Sequence, residues 1–308
     1  MKNTCLILLG LSLVINARAQ VLSSDTPVDG HTQAEWNAEW WTWMYSISTN
    51  NHPALEDDGR HAHVNQPPGN VFYLTGVFGF SGMANRSMTA AENKHFFFPI
   101  LNTVSGTDPG DPPTVEERRE ITRILMDGAV ELEVSVDGVE VPDPWSHRVD
   151  SPVFSLLLDF PDNLTSYHIG MPIMGLFDNL VAGGYYLMVE PLEVGQHKIK
   201  YHALHDSGFE LFITNHITIV QVLVTAWMDD MIAVVRRAPM AERDLDQLLQ
   251  PLLRAHKAFA GGKTKPGINH LRGFQRLVER RLAPVNPALA ADYLISVDRI
   301  IERAMRDL

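Results

Sequence analysis

The chain has 308 residues, a net charge of −12, 45% hydrophobic and 20% charged residues, and one cysteine. Those values describe a globular protein and exclude the disordered, collagen-like and disulfide-stapled classes. An acidic balance also argues against a duplex nucleic-acid partner, which needs a basic footprint to neutralise phosphates.

In chain order, the first expected element is a secretory signal over residues 1–19. Lys2 supplies the positive end, Leu6 to Ile15 the short apolar run, and Ala17-Arg18-Ala19 the A-x-A cleavage signature. Ten or so apolar residues are too few to cross a bilayer core of ~30 Å. No other stretch is apolar enough, so no transmembrane anchor is expected. Cleavage after Ala19 removes Cys5, which excludes thiol nucleophiles, Cys-ligated zinc and disulfides from the mature chain. The expected location is secreted or periplasmic.

Residues 20–225 read as an acidic β domain. Thr32 to Ile47 predicts a helix with Trp36, Trp40, Trp43, Met44 and Ile47 on one stripe. Strands are expected at Val71–Phe78, Phe96–Leu101, Val130–Val136, Phe154–Leu158, Tyr185–Glu190, His197–Ala203 and Phe209–Ile219. Asp137-Gly138 predicts a tight hairpin. Thr114 with Glu117 starts a second helix, with Ile121, Ile124 and Leu125 as its buried face. Asn102 to Pro113 reads as a loop.

Residues 226–308 change period and charge. From residue 20 to 235 there are 9 Lys/Arg against 29 Asp/Glu; from 236 to 308 there are 14 against 8. Leu245, Leu248, Leu249, Leu252 and Leu253 stripe one helix, ended by Gly261-Gly262. Ile268, Leu271, Phe274, Leu277 and Val278 stripe a second, and Leu289, Tyr293, Ile300 and Ile301 a third. The fold expected is therefore mainly β: an antiparallel β-sandwich, jelly-roll or immunoglobulin-like, followed by a small C-terminal α-helical bundle.

Several of these stretches resemble a family of exported bacterial proteins of unassigned function. They are Trp40-Trp41-Thr42-Trp43, Gly69-Asn70-Val71-Phe72-Tyr73-Leu74-Thr75-Gly76 and Lys94-His95-Phe96-Phe97-Phe98-Pro99-Ile100. Arg148-Val149-Asp150-Ser151-Pro152-Val153-Phe154 and Pro191-Leu192-Glu193-Val194-Gly195-Gln196-His197-Lys198-Ile199 extend the resemblance over most of residues 36–219. It implies no reaction. The family pattern carries cysteines where this chain has Ala62 and Met88, so the bond they would form is missing here. Residues 244–306 are similar to the helical module called FIMAH, through the leucine stripe, the Gly-Gly turn and Asn269-His270-Leu271-Arg272-Gly273-Phe274. That resemblance implies an accessory module of no known chemistry.

Thirteen histidines make a divalent metal the one cofactor worth testing. His61 and His63 are paired across one residue, and His202 and His205 precede Asp206, with His216 nearby. Each set reads either as metal ligands or as surface histidines. No His-Glu-x-x-His, nucleophile elbow, phosphate loop or dinucleotide fingerprint occurs, so no nucleotide cofactor is expected. Glu35 and Glu39, beside Trp36 and Trp40, are a carboxylate pair with the spacing of one helical turn. Basic residues are scarce in the acidic half. Arg86, Lys94 and Arg148, with Gln66, read either as ion pairs holding strands or as the lining of a site for a glycan or small anionic ligand. The function expected is an exported, non-enzymatic binding protein for a glycan or another envelope component. The alternative is an extracellular metal- or carboxylate-dependent enzyme acting on a glycan or small anion.

Overall fold

The computed structural model describes residues 21–79 and 81–306. The expected signal segment and Cys5 lie outside the described residues. Helix α1 (Gln33–Tyr45) starts at Thr32, whose hydroxyl accepts from Glu35 N–H while the Glu35 carboxylate accepts from Thr32 N–H. Its tryptophans point inward. Trp36 Nε1 donates to Val28 O and Trp40 Nε1 to Leu74 O, both at 3.0 Å, so each buried ring has its polar atom satisfied.

Two five-stranded sheets follow. The first runs β1 (Val71–Tyr73), β3 (His95–Ser105), β8 (Gly175–Val189) and β6 (Arg148–Asp150), with β7 (Phe154–Leu158) paired to the other end of β8. The second runs β2 (Gly82–Ala91), β10 (Glu210–Val220), β9 (Gly195–His205), β4 (Ala129–Val136) and β5 (Val139–Glu140). Both sheets are mixed, because β1 lies parallel to β3 and β2 parallel to β10. This corrects the antiparallel expectation. A parallel pair cannot arise from a hairpin, so local turn signals do not announce it. With 39% helix against 29% strand, the chain is also not plainly mainly β. The difference lies in the four helices of the C-terminal part and in α2 (Val115–Asp127) and α3 (Leu164–Ile169).

Strand alternation sorts the side chains into layers. Phe96, Phe98, Leu187 and Val189 of the first sheet meet Leu132, Val134, Ile199, Tyr201 and Ile213 of the second in one core. On the other face of the first sheet, Tyr73, Phe97, Tyr186 and Met188 pack against α1. The second sheet buries one face only, and its outer residues on β9 and β10 are exposed or half-buried. Asp137 and Gly138 both adopt positive φ, +53° and +79°, as a two-residue hairpin turn requires.

Two local expectations change. β3 continues to Ser105 instead of looping at Asn102, because Asn102–Ser105 pair with Val181–Gly184. Helix α2 buries Thr122 and Met126, while Ile121, Ile124 and Leu125 are exposed. The reason is its seat on β8, where Thr122 sits over Gly183, and Arg118 and Arg119 hold the carbonyls of Asp178, Asn179 and Ser151.

The bundle has four helices, not three. α4 (Val224–Arg237) joins α5 (Glu242–Ala260), α6 (Thr264–Arg281) and α7 (Pro287–Met305) around one apolar core. It meets the sheets through polar contacts. Asp230 accepts from Lys94 and Asn93, each at 2.8 Å, and Arg303 pairs with Glu92 at 2.8 Å with both side chains buried. At the same joint burial, reinforced by Asp29, pushes the Asp292 carboxyl up to about 7. Burial and the neighbouring Arg299 push His95 down to about 3, and burial takes His52, in the turn after α1, to about 4.

Two predictions follow from this packing. Trp36→Ala leaves a large cavity and removes one of the two hydrogen bonds to the Val28 carbonyl, so the denaturant midpoint should fall by the equivalent of about 3–5 kcal/mol; an unchanged midpoint would remove α1 from the core. For pH, Asp292 releases its proton near 7 when folded and near 4 when unfolded. The stability it contributes is therefore full below about pH 4 and lost as pH rises through 7. His52 and His95 act oppositely, with stability falling as pH drops below about 6.5. Asp292→Asn should gain midpoint relative to the parent between pH 5 and 7, with the difference level above about 8; a pH-independent difference would contradict this.

Candidate functional site

The four residues expected to meet a ligand do not converge. Gln66 bridges a turn to β1, donating to Ala62 O and Tyr73 O and accepting from Tyr73 N–H. Arg86 is only 1% exposed and points from β2 into the space between the sheets. Its guanidinium donates to the carbonyls of Thr75 (2.6 Å), Glu56 (2.8 Å) and Gly76 (3.0 Å), with the Glu56 carboxylate 3.5 Å away. Burial lowers its pKa, yet three carbonyls and a carboxylate hold the charge. Lys94 bridges Asp230 and Gly69 O in the joint with the bundle. Arg148 donates to Asp127 (2.6 Å) and Arg123 O, over the ring of Tyr185. All four tie chain segments together.

The histidine pairs separate as well. His61 and His63 lie in a turn, not a strand; His63 contacts Thr89 and the edge of Phe72. His202 and His205 are three apart on β9, and in a strand an odd spacing sends side chains to opposite faces. His205 faces inward, with Nε2 on Leu125 O and Nδ1 on Ser207 Oγ. His216 bonds to Asn85 across to β2. Glu35 is spent on the cap of α1, so it does not form an acid–base pair with Glu39.

His202 acquires a different set of neighbours. The register places Glu133, His202 and Phe212 side by side on β4, β9 and β10, with Glu131 and Glu210 both opposite Leu204, the second residue after His202. His202 lies flat on Phe212, with centroids 4.1 Å apart and planes at 8°. Its Nε2 is 3.1 Å from Glu210 Oε1. A carboxylate only accepts, so that nitrogen carries the proton, and in the neutral ring Nδ1 keeps its lone pair. Nδ1 faces Glu131 Oε1 at 3.8 Å and Glu133 Oε2 at 3.9 Å. One ligand atom from each of Glu131, Glu133 and His202 lies within 4.8 Å of the others. Such a group, with Glu210 orienting the imidazole from behind, has the make-up of a divalent-metal centre with its supporting carboxylate.

The alternation Glu131-Leu132-Glu133 already put both acids on one face of a strand. What no sequence signal supplied was the pairing of that strand with β9, which brings His202 opposite them. No protein-family model, curated protein or solved structure matches the chain. No helix among the described residues is long and apolar enough to cross a membrane.

Arg86 gives the prediction here. Arg86→Ala takes the guanidinium from the carbonyls of Thr75, Glu56 and Gly76 and the counter-charge from the buried Glu56 carboxylate, and should cost about 3–5 kcal/mol in chemical unfolding. A ligand-binding arginine at the surface would instead leave the midpoint where it was.

Proposed function

We propose that this chain is an exported binding protein that holds a glycan across the outer face of the second sheet, with a divalent cation at Glu131, Glu133 and His202. The arrangement of His202 carries the reading: an imidazole whose Nδ1 faces two carboxylates while a third accepts from its Nε2. Three carboxylates crowded on neighbouring strands repel one another, and a cation relieves that repulsion. Imidazole and carboxylate together suit Zn²⁺ or Mn²⁺. Three protein ligands leave coordination positions open to hydroxyl groups.

A groove of about 810 Å³ extends from this cluster, lined by Glu133, His202, Lys198, Lys200, Phe212 and Thr214. Polar and charged donors beside a half-exposed aromatic suit a polyhydroxylated ligand better than an apolar one. In this reading the two sheets form a β-sandwich whose open face is the binding platform. Export rests on the N-terminal signal pattern, and membership of the exported family and the FIMAH-like assignment of the bundle belong to the same proposal.

The test is calorimetric titration of chelator-stripped protein with Zn²⁺ and Mn²⁺, followed by a glycan array with and without EDTA. We expect one metal equivalent, abolished in His202→Ala and weakened at least tenfold in Glu133→Gln, and glycan retention that EDTA removes. Metal binding indifferent to both substitutions would refute the site. Turnover of a retained glycan would make the same centre an enzyme's.

A further inference from the structure

The α5–α6 hairpin is basic within an acidic protein. From Gln247 to Val278 it has six Lys/Arg and no Asp or Glu, against a net charge of −12 for the whole chain. Helical spacing gathers these cations on one side. In α6, Ile268, Leu271, Phe274 and Val278 are buried, while Lys265, Arg272 and Arg276 lie on the opposite, exposed face. In α5, Arg254 and Lys257 are exposed one turn apart, turned away from buried Leu252, Ala255 and Phe259. Lys263, also exposed, stands in the short connection between the helices. The two helices pack closely, since a Cβ on Gly267 would stand 2.4 Å from the Phe259 ring. Their outward cations therefore share one surface.

Among the described residues, none of the six forms an ion pair. The acids on the flanks are engaged elsewhere: Asp229 with His256, Asp244 with Arg281 and Asp298 with Gln275. Lys265 and Arg276 stand about 16 Å apart along the helix, too far to converge on one small anion. They match an extended array of negative charge. Phe259 and Phe274 are buried, so the face offers no aromatic platform for sugars or single-stranded bases. Leu253, 39% exposed and one turn before Lys257, adds an apolar contact of the kind a lipid headgroup layer accepts.

The layout of the bundle turns this face away from the acidic sheets. Asp230, Arg237, Arg299 and Arg303, which join the sheets, belong to α4 and α7. A helix layer about 10 Å thick thus separates the face from the joint. That exceeds the screening length of about 8 Å at physiological salt, so the acids of the sheets do not cancel it.

We propose that the outer face of α5 and α6 docks the protein on a bilayer rich in anionic phospholipid, its arginines and lysines contacting the headgroup phosphates. Each cation held near such a surface strengthens binding about fivefold. The face is on the bundle, and Glu131, Glu133 and His202 are on the second sheet, so neither reading depends on the other.

The test is flotation of the full chain with vesicles of equimolar phosphatidylglycerol and phosphatidylcholine, and with vesicles of phosphatidylcholine alone. We expect binding to the first only, weakening as salt is raised. Arg272→Gln combined with Arg276→Gln should keep the thermal midpoint, because both side chains are exposed without ion-pair partners, and should weaken binding by about tenfold or more. Arg254→Gln with Lys257→Gln, on α5, should act alike and serves if the first pair does not fold. Arg60→Gln with Arg123→Gln removes the same charge from the acidic half and should leave binding as it was. Equal binding to both vesicles, indifference to the α5 and α6 pairs, or an equal loss from the Arg60 and Arg123 pair overturns the proposal. Retention on duplex DNA but not on vesicles would assign the face to a nucleic acid and overturn it too.

Discussion

Strands β3 and β8 are apolar on both faces, and the rest of the molecule is arranged to keep water from each. Every residue from His95 to Leu101 and from Leu180 to Val189 is buried. One face takes the second sheet and the other takes α1, whose tryptophans supply the largest rings available. A sheet covered twice leaves no open surface for ligand chemistry. The second sheet, covered once, carries its polar residues on the free face, and that is where His202 meets three carboxylates.

The same layering explains the scarce cations of the acidic half. Arg86 is the basic residue of the inter-sheet core, and it spends its donors on carbonyls at Glu56, Thr75 and Gly76. It thereby anchors two loops that cover the end of the core. Ala62 and Met88 are both buried in that same core.

The charge asymmetry along the chain also has a physical use. Glu92 meets Arg303 and Arg306, Glu190 meets Arg299, and Pro68 O receives Arg237. Acidic sheets and a basic bundle thus join across a face where Asp29, Asp230 and Asp292 sit beside Lys94 and Arg299. Burial within that joint raises both Asp29 and Asp292, the latter to about 7, so the stability that Asp292 contributes there is lost as pH rises through neutrality.

Local patterns in the sequence were enough to determine α1, the Thr114–Glu117 cap of α2, the Asp137-Gly138 hairpin, most strands and three of the four bundle helices. Each depends on periodicity, a cap or a turn, which neighbouring residues encode. β2 was not legible, because Gly82–Ala91 is small and polar and owes its place to β10, over a hundred residues away. The site divided along the same line. His202 and the alternation of Glu131 and Glu133 could be read, but their meeting, and the parting of His202 from His205, were decided by strand register and by which face was buried. Whether a polar group has a partner depends on packing between distant segments, and only the tertiary structure specifies that.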